Sequence, residues 1–472
     1  MSQPAAGLSL SSKESIVRGL ARFVAESSFE DLSETAVSQL KIRVLDALGC
    51  AMGALDAKPI QMLYAQLMDF GGNAHCTLIG GGKSAPDLAA FYNGALVRYL
   101  DFNDAYLAKG ESCHPNDNVA PVLAASEYAK AKGRDFLVAL AVAYQVQCRL
   151  SDEAPVRSKG FDHTVQGSYA IAAGVSKALG FDVGKTANAI AISGTALNAL
   201  RVTRTGTLSH WKGLAYPYTA FGATQIAFLA MRGITGPEEV FEGNKGFMDS
   251  IAGKFEIDWS AENLERVNRT ILKRYNAEIH SQSTIEGILE LKAEANFTAD
   301  DIDKIEIQVF DVAYNIIGGG EEGDKTKVRT KEQADHSLQY VTAVALLDNQ
   351  VMPEQYCPDR IVRDDVQKLL RKIVVIPRQD FSERFPNEMP CHLKVHLKDG
   401  EVFEKEKRDY EGFFTRPMGW ERAVGKFQRL SAPYVDGCLR EGIVAMVASL
   451  EDANVADLTR LLEQIPGNKI RL

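Results

Sequence analysis

The stretch YLDFNDAYLAKGESCHPNDN, residues 99–118, sets Asp101 and Asp104 at the end of an apolar run and follows them with His114. Carboxylates and an imidazole so close together suit proton transfer, because histidine titrates nearest neutrality. Two more places repeat the layout. Phe161-Asp162-His163-Thr164 precedes an Ala/Gly-rich run, and Trp211-Lys212-Gly213 precedes another, with Arg201 and Arg204 just upstream. A fourth polar cluster, Lys273 to Ser283, carries Glu278 and His280. If these places converge, His114 and His163 could move protons, with Asp101 orienting one of the imidazoles, while Lys212, with Arg201 or Arg204, holds the charge that develops when a proton is removed beside a carboxylate. Taken singly, each has a plain explanation as a helix cap or a solvated charge.

The elements that must position these residues are mostly helices. Ser11 and Glu14 have capping-box spacing, Leu40, Val44, Leu48 and Met52 recur at helical spacing, and Ser84-Ala-Pro-Asp87 precedes a stripe of Leu88, Tyr92, Ala95, Leu96 and Tyr99. That stripe runs directly into Asp101. A carboxylate at a helix C-terminus opposes the macrodipole, so structure alone would prefer Lys or Arg there. Asn116-Asp117-Asn118 caps a helix over 119–133, with Pro121 in its first turn. His114, His163 and Lys212 therefore all stand at helix N-termini, where free N–H groups favour an anion.

Beyond residue 266 the texture changes. IDKIEIQVF (302–310) alternates, KIVVIP (372–377) is a β-branched run, and HLKVHLKDGEVFEKEKR (392–408) reads as a hairpin turning at Asp399-Gly400. Helical runs near 283–294, 337–349 and 364–371 lie between them, and helices return at 418–430, 434–449 and 455–464. The fold class expected is mostly α: a helical domain from 1–266 and 413–472, with an α+β domain, 267–412, inserted as a lid. GGGEEGDKTKVRTKEQ (318–333) reads as a mobile loop, and Asp335-His336-Ser337 as a cap on LQYVTAVALLD. His75, His210, His392 and His396 lack comparable surroundings.

Composition excludes several classes. The 472 residues are 46% hydrophobic and 24% charged, with net charge −9, which speaks against nucleic-acid binding. The longest strongly apolar run, Phe136 to Val146, is far short of a membrane span, and no secretory signal is visible. Seven scattered cysteines, without a CxxC pair, fit a reducing cytoplasm and offer no zinc or iron–sulfur spacing. Gly82-Lys83-Ser84 fails as a P-loop because Thr77 holds the position of the required glycine. No HExxH, GxSxG or credible GxGxxG is present.

Together AAFYNGALVRYLDFND, HPNDN, FDHTV, ALRVTRTGTLSHWKG, AEIHSQS and DHSLQYV resemble the MmgE/PrpD family, in its order and through nearly the whole chain. That family contains 2-methylcitrate dehydratases, cis-aconitate decarboxylases and an iminodisuccinate epimerase. The resemblance implies a homodimer without metal or other cofactor, acting on a small tricarboxylate or dicarboxylate. It places catalytic roles on Asp101, His114, His163 and Lys212, and matches Arg201, Arg204, Glu278, His280 and Tyr314 to the family's pattern; with Lys273 from the polar cluster, these are the expected substrate contacts. Glu278 stands where the decarboxylase branch has a histidine, and Tyr314 where that branch has a tyrosine. Asn276 replaces the usual proline before Ala277-Glu278. The expected activity is dehydration of 2-methylcitrate or a close relative, with decarboxylation or epimerisation as alternatives. A catalytically silent helical scaffold is the non-enzymatic reading.

Overall fold

The computed structural model describes residues 14–466 except 109 and 207. Ser11, and with it the expected capping box, lies outside them; the first helix, α1 (Ile16–Glu26), begins after Ser15. Eight more long helices follow: α2 (Glu34–Gly53), α3 (Lys58–Phe70), α4 (Pro86–Tyr99), α5 (Val119–Tyr128), α6 (Gly133–Glu153), α7 (Thr164–Ala178), α8 (Val183–Ala196) and α9 (Trp211–Met231). The fold is mostly α. α4 packs on α9 and α5, and α6 on α7, through Ala- and Gly-rich faces that let the axes approach closely. None of the helices is long and apolar enough to cross a membrane among the described residues.

Three local expectations are corrected. Ser84 ends a strand, Gly82–Ser84, paired with Cys76–Leu78, and Ala85 is the N-cap of α4. The helix expected over 119–133 stops at Tyr128, where Lys130 adopts φ +55°. Between α9 and residue 281 the chain runs through short single turns rather than long helices.

A second apolar core forms around a four-stranded sheet of order β6-β5-β7-β8, with β5 Ile302–Val309, β6 Ile373–Pro377, β7 Cys391–Leu397 and β8 Val402–Lys407. β5 and β6 are parallel, and the other pairs antiparallel. Ile305 faces Val395 and Ile307 faces Leu393, so one side of the sheet is apolar. α10 (Gln282–Ala295) and the helix Leu338–Asp348 pack with this core.

The C-terminal helices Trp420–Ser431, Gly437–Ala448 and Val455–Glu463 return to the first core. Gly133 shows how close the return is: its N–H donates to Ala453 O at 2.8 Å, and a Cβ there would lie 1.7 Å from Leu450 O. Buried Lys426, from Trp420–Ser431, donates to Phe102 O at 2.6 Å and Lys273 O at 3.1 Å, and pairs with Asp46 at 2.6 Å. The end of the chain thus fixes two loops that carry candidate site residues.

Candidate active site

Asp101 follows the end of α4 with φ +54°, a left-handed conformation that costs a non-glycine residue energy and recurs at functional sites. What holds it is charge. Its Oδ1 accepts from Arg98 Nη1 at 2.6 Å and Lys273 Nζ at 2.7 Å, and its Oδ2 from Lys212 Nζ at 3.3 Å. Burial pushes the Asp101 carboxyl up, but Arg98, Lys273 and Lys212 together hold it well below the usual range. The helix end thus receives its cation from Arg98, in the last turn of α4. Asn276 donates to Leu100 O at 2.7 Å, and its own N–H donates to Val351 O at 2.9 Å. Proline at 276 would lack both bonds.

Four imidazoles share one arrangement: an oxygen acceptor at Nδ1. For His114 it is Asp104 O at 2.7 Å, for His163 Asp162 at 3.0 Å, for His280 Glu278 at 2.7 Å, and for His336 Asp335 at 2.6 Å. For His114, His163 and His280 this acceptor keeps the proton on Nδ1 and leaves Nε2 able to accept one, whereas His336 Nδ1 also faces the Lys212 ammonium at 3.0 Å. The Nε2 atoms of His163 and His280 are buried without a partner among the described residues. The His114 and His163 rings lie 5.6 Å apart. Arg204 donates to Asp162 at 2.8 Å and to Lys212 O at 3.2 Å, so it supports the His163 pair.

These groups surround a cavity of about 60 Å³ lined by Asp101, His114, His163, Arg201, Arg204, Lys273, Glu278, His280 and His336, among others. Two expectations need correction. Tyr314 is not on the lining; its ring packs against the backbone of Gly318 and Gly320. Asp101 does not orient His114 or His163, whose acceptors are Asp104 and Asp162; the imidazole approaching it is His336, at 3.9 Å. Lys212 lies one layer back, against a separate void of about 10 Å³.

Residues that the sequence patterns passed over complete the site. His336 and Asp335 are more than a cap: Ser337 performs the capping, accepting from Tyr340 N at 3.0 Å, while His336 lines the cavity and Asp335 holds it from behind. Arg98 was legible as an arginine three places before Asp101. Arg157 and Glu322 carried no signal, and Glu322 belongs to the stretch expected to be a mobile loop. That stretch is irregular, but Glu322 and Lys331 from it are held by Arg201 at 3.2 Å and Asp335 at 2.7 Å. Asp101, Asp335 and His336 are the one trio among the described residues whose donor atoms could gather on a metal ion. Lys212 Nζ lies 3.3, 3.3 and 3.0 Å from them, so an ammonium fills the position such a cation would take.

Burial, with Arg204 nearby, lowers His163 from 6.5 to about 4 against the opposing pull of Asp162. His114 and His336 are lowered too, chiefly by burial. The imidazoles of these three are therefore neutral near pH 7, below the near-neutral titration expected from sequence. Between pH 6.5 and 4 the unfolded chain binds the proton that folded His163 refuses, so His163 makes stability fall as pH drops. Asp104 and Asp117, raised by burial to about 7 and about 6, act oppositely and lose stabilisation as pH rises. His163→Gln should accordingly flatten the acid-side decline by on the order of 2–3 kcal/mol, read from urea midpoints between pH 7 and 4.

Comparison with known proteins matches the MmgE/PrpD N-terminal domain over residues 18–260 and the MmgE/PrpD C-terminal domain over 275–452. The chain is 26% identical to a cis-aconitate decarboxylase of Mus musculus, covering 95% of this chain and 94% of the relative. It is 27% identical to a mitochondrial 2-methylcitrate dehydratase of Yarrowia lipolytica, over 94% and 88%. To a 2-methylcitrate dehydratase of Salmonella typhimurium it is 28% identical, over 80% and 81%.

Proposed function

This chain belongs to the MmgE/PrpD family, and from that premise we propose that it is a hydro-lyase removing water from 2-methylcitrate or a closely related tricarboxylate. The observation that carries the reading is the cavity itself, whose wall sets His163, its Nε2 buried without a partner among the described residues, together with Arg98, Arg201, Arg204 and Lys273. Those cations suit a substrate with several carboxylates, and the imidazoles suit proton removal from the carbon beside one of them.

Removing that proton builds a doubly charged, enolate-like carboxylate. Arg98 and Lys273, fixed on Asp101 at 2.6 and 2.7 Å, are the cations at the wall that stabilise it. Because burial keeps His114 and His163 neutral in the free protein, either is ready to take the proton. A substrate carboxylate beside the other imidazole favours its protonated form, which makes that ring the donor to the departing hydroxide. Lys212 positions Asp101 and His336, and its charge reaches the substrate through them. Glu278, where the decarboxylase branch has a histidine, holds His280 instead, which favours dehydration over loss of CO2.

The α+β segment 267–412 is read as the lid over a helical domain formed by 1–266 and 413–472. It brings Lys273, Glu278, His280 and His336 to residues of the first core. A homodimer is supported by an unpartnered apolar face on α9, where Trp211, Tyr218 and Leu229 are more than 40% exposed, continued by Leu200 and Val202. Seven unpaired cysteines suit a reducing cytoplasm.

Purified protein incubated with 2-methylcitrate should generate a conjugated alkene, seen as rising ultraviolet absorbance and identified by NMR, without CO2. Release of CO2 from cis-aconitate would instead establish the decarboxylase reading, and isotope exchange without net change the epimerase reading.

A further inference from the structure

A carboxylate of the protein itself lines both the inner cavity and the larger pocket beside it. Glu322 Oε1 lies 3.2 Å from Arg201 Nη2 and 3.5 Å from Arg157 Nη2, with its side chain 8% exposed. On the inner side of this cluster is the 60 Å³ chamber containing the histidines. On the outer side is a vestibule of about 850 Å³, open to solvent, whose wall includes the same Arg157, Arg201 and Glu322. The wall shared by vestibule and chamber therefore includes the Arg157–Glu322–Arg201 cluster.

Glu322 sits in Gly318-Gly319-Gly320-Glu321-Glu322-Gly323, where Gly319 and Gly323 adopt φ +114° and +88°. The N–H groups of Gly320 and Glu322 donate to Tyr314 O and Asn315 O, both at 3.0 Å, so these are the bonds an outward swing of the turn must break. Arg157 is firmly placed instead: Glu111, buried beneath it, accepts from the N–H groups of Val156 and Arg157 at 3.2 and 3.0 Å. Arg201 N donates to Gly160 O at 2.9 Å. Two guanidinium groups carried on anchored backbone thus face one carboxylate on a glycine-rich turn. Arginine pairs recognise carboxylates from any source.

We propose that Glu322 is an internal competitor for a substrate carboxylate, and that Arg157 and Arg201 form the entry subsite it occupies until substrate arrives. An incoming carboxylate exchanges with Glu322, the 318–323 turn swings outward, and vestibule and chamber become one cavity. The inference rests on the polycarboxylate reading of the site and adds Arg157 and Glu322 to it.

Tricarballylate, a tricarboxylate with no hydroxyl to eliminate, separates binding from turnover. In calorimetric titrations at constant ionic strength, Glu322→Gln and Glu322→Ala should bind it about tenfold more tightly than the parent, equivalent to ~1.4 kcal/mol, and Arg157→Gln more weakly. Melting temperatures identify any variant that has lost its fold, and the two substitutions at 322 guard against one failing. Equal or weaker binding by a folded Glu322 variant, or no binding by any protein, overturns the proposal. If Glu322→Gln binds no tighter while the parent dehydrates 2-methylcitrate, the gate fails and the activity stands. Tighter binding without dehydration by the parent retains the gate and removes the activity.

Discussion

Replacing His163 by asparagine should lower kcat by about 10²–10⁴-fold, the usual contribution of a positioned acid or base. The substitution is chosen for its geometry. An asparagine amide can present an N–H near the place of Nδ1 and keep the bond to Asp162, now 3.0 Å long. What disappears is Nε2, the buried atom of this cavity-lining residue that has no partner among the described residues. The local pairing of Asp162 with Arg204 at 2.8 Å is left in place, so helical circular dichroism and melting should change little. Alkene formation from 2-methylcitrate is the measurement. A kcat within about threefold of the parent would remove His163 from the chemistry.

The second large effect is on stability. Asp101→Asn leaves Arg98, Lys273 and Lys212 without the carboxylate they share, all buried in the protein. Breaking a buried ion cluster by removing one partner typically costs about 3–5 kcal/mol, because the remaining charges stay desolvated. Backbone strain does not confound the comparison, since asparagine tolerates φ +54° as readily as aspartate. Urea denaturation should show the loss, and activity should fall with it as Lys273 and Arg98 lose their anchor. A midpoint unchanged by the substitution would mean that Asp335 and the other carboxylates already satisfy these cations.

The contrast between Asp101 and Asp335 shows why part of the site was legible and part was not. Asp101 violated a local rule: a carboxylate ended an apolar helix where the dipole disfavours it. His114, His163 and Lys212 each stood before a small-residue helix, a pattern visible over a few residues. Asp335 and His336 violated nothing, because Ser337 beside them makes an ordinary cap and absorbs the signal. Arg157 and Glu322 had no local peculiarity at all. Their meaning is an encounter across 165 positions of chain, at 3.5 Å.

By itself, then, the amino-acid sequence determined most of the long helices, the hairpin at Asp399-Gly400, the return of the last three helices and the family, since those depend on periodicity, turn chemistry and ordered motifs. Only the tertiary structure decided which oxygen acceptor serves which imidazole, that Lys212 stands behind Asp101, and that Glu322 pairs with Arg157 and Arg201. The reason is physical: a hydrogen bond or ion pair falls away within an ångström or two, and separations that small between distant segments are set by packing of the whole chain.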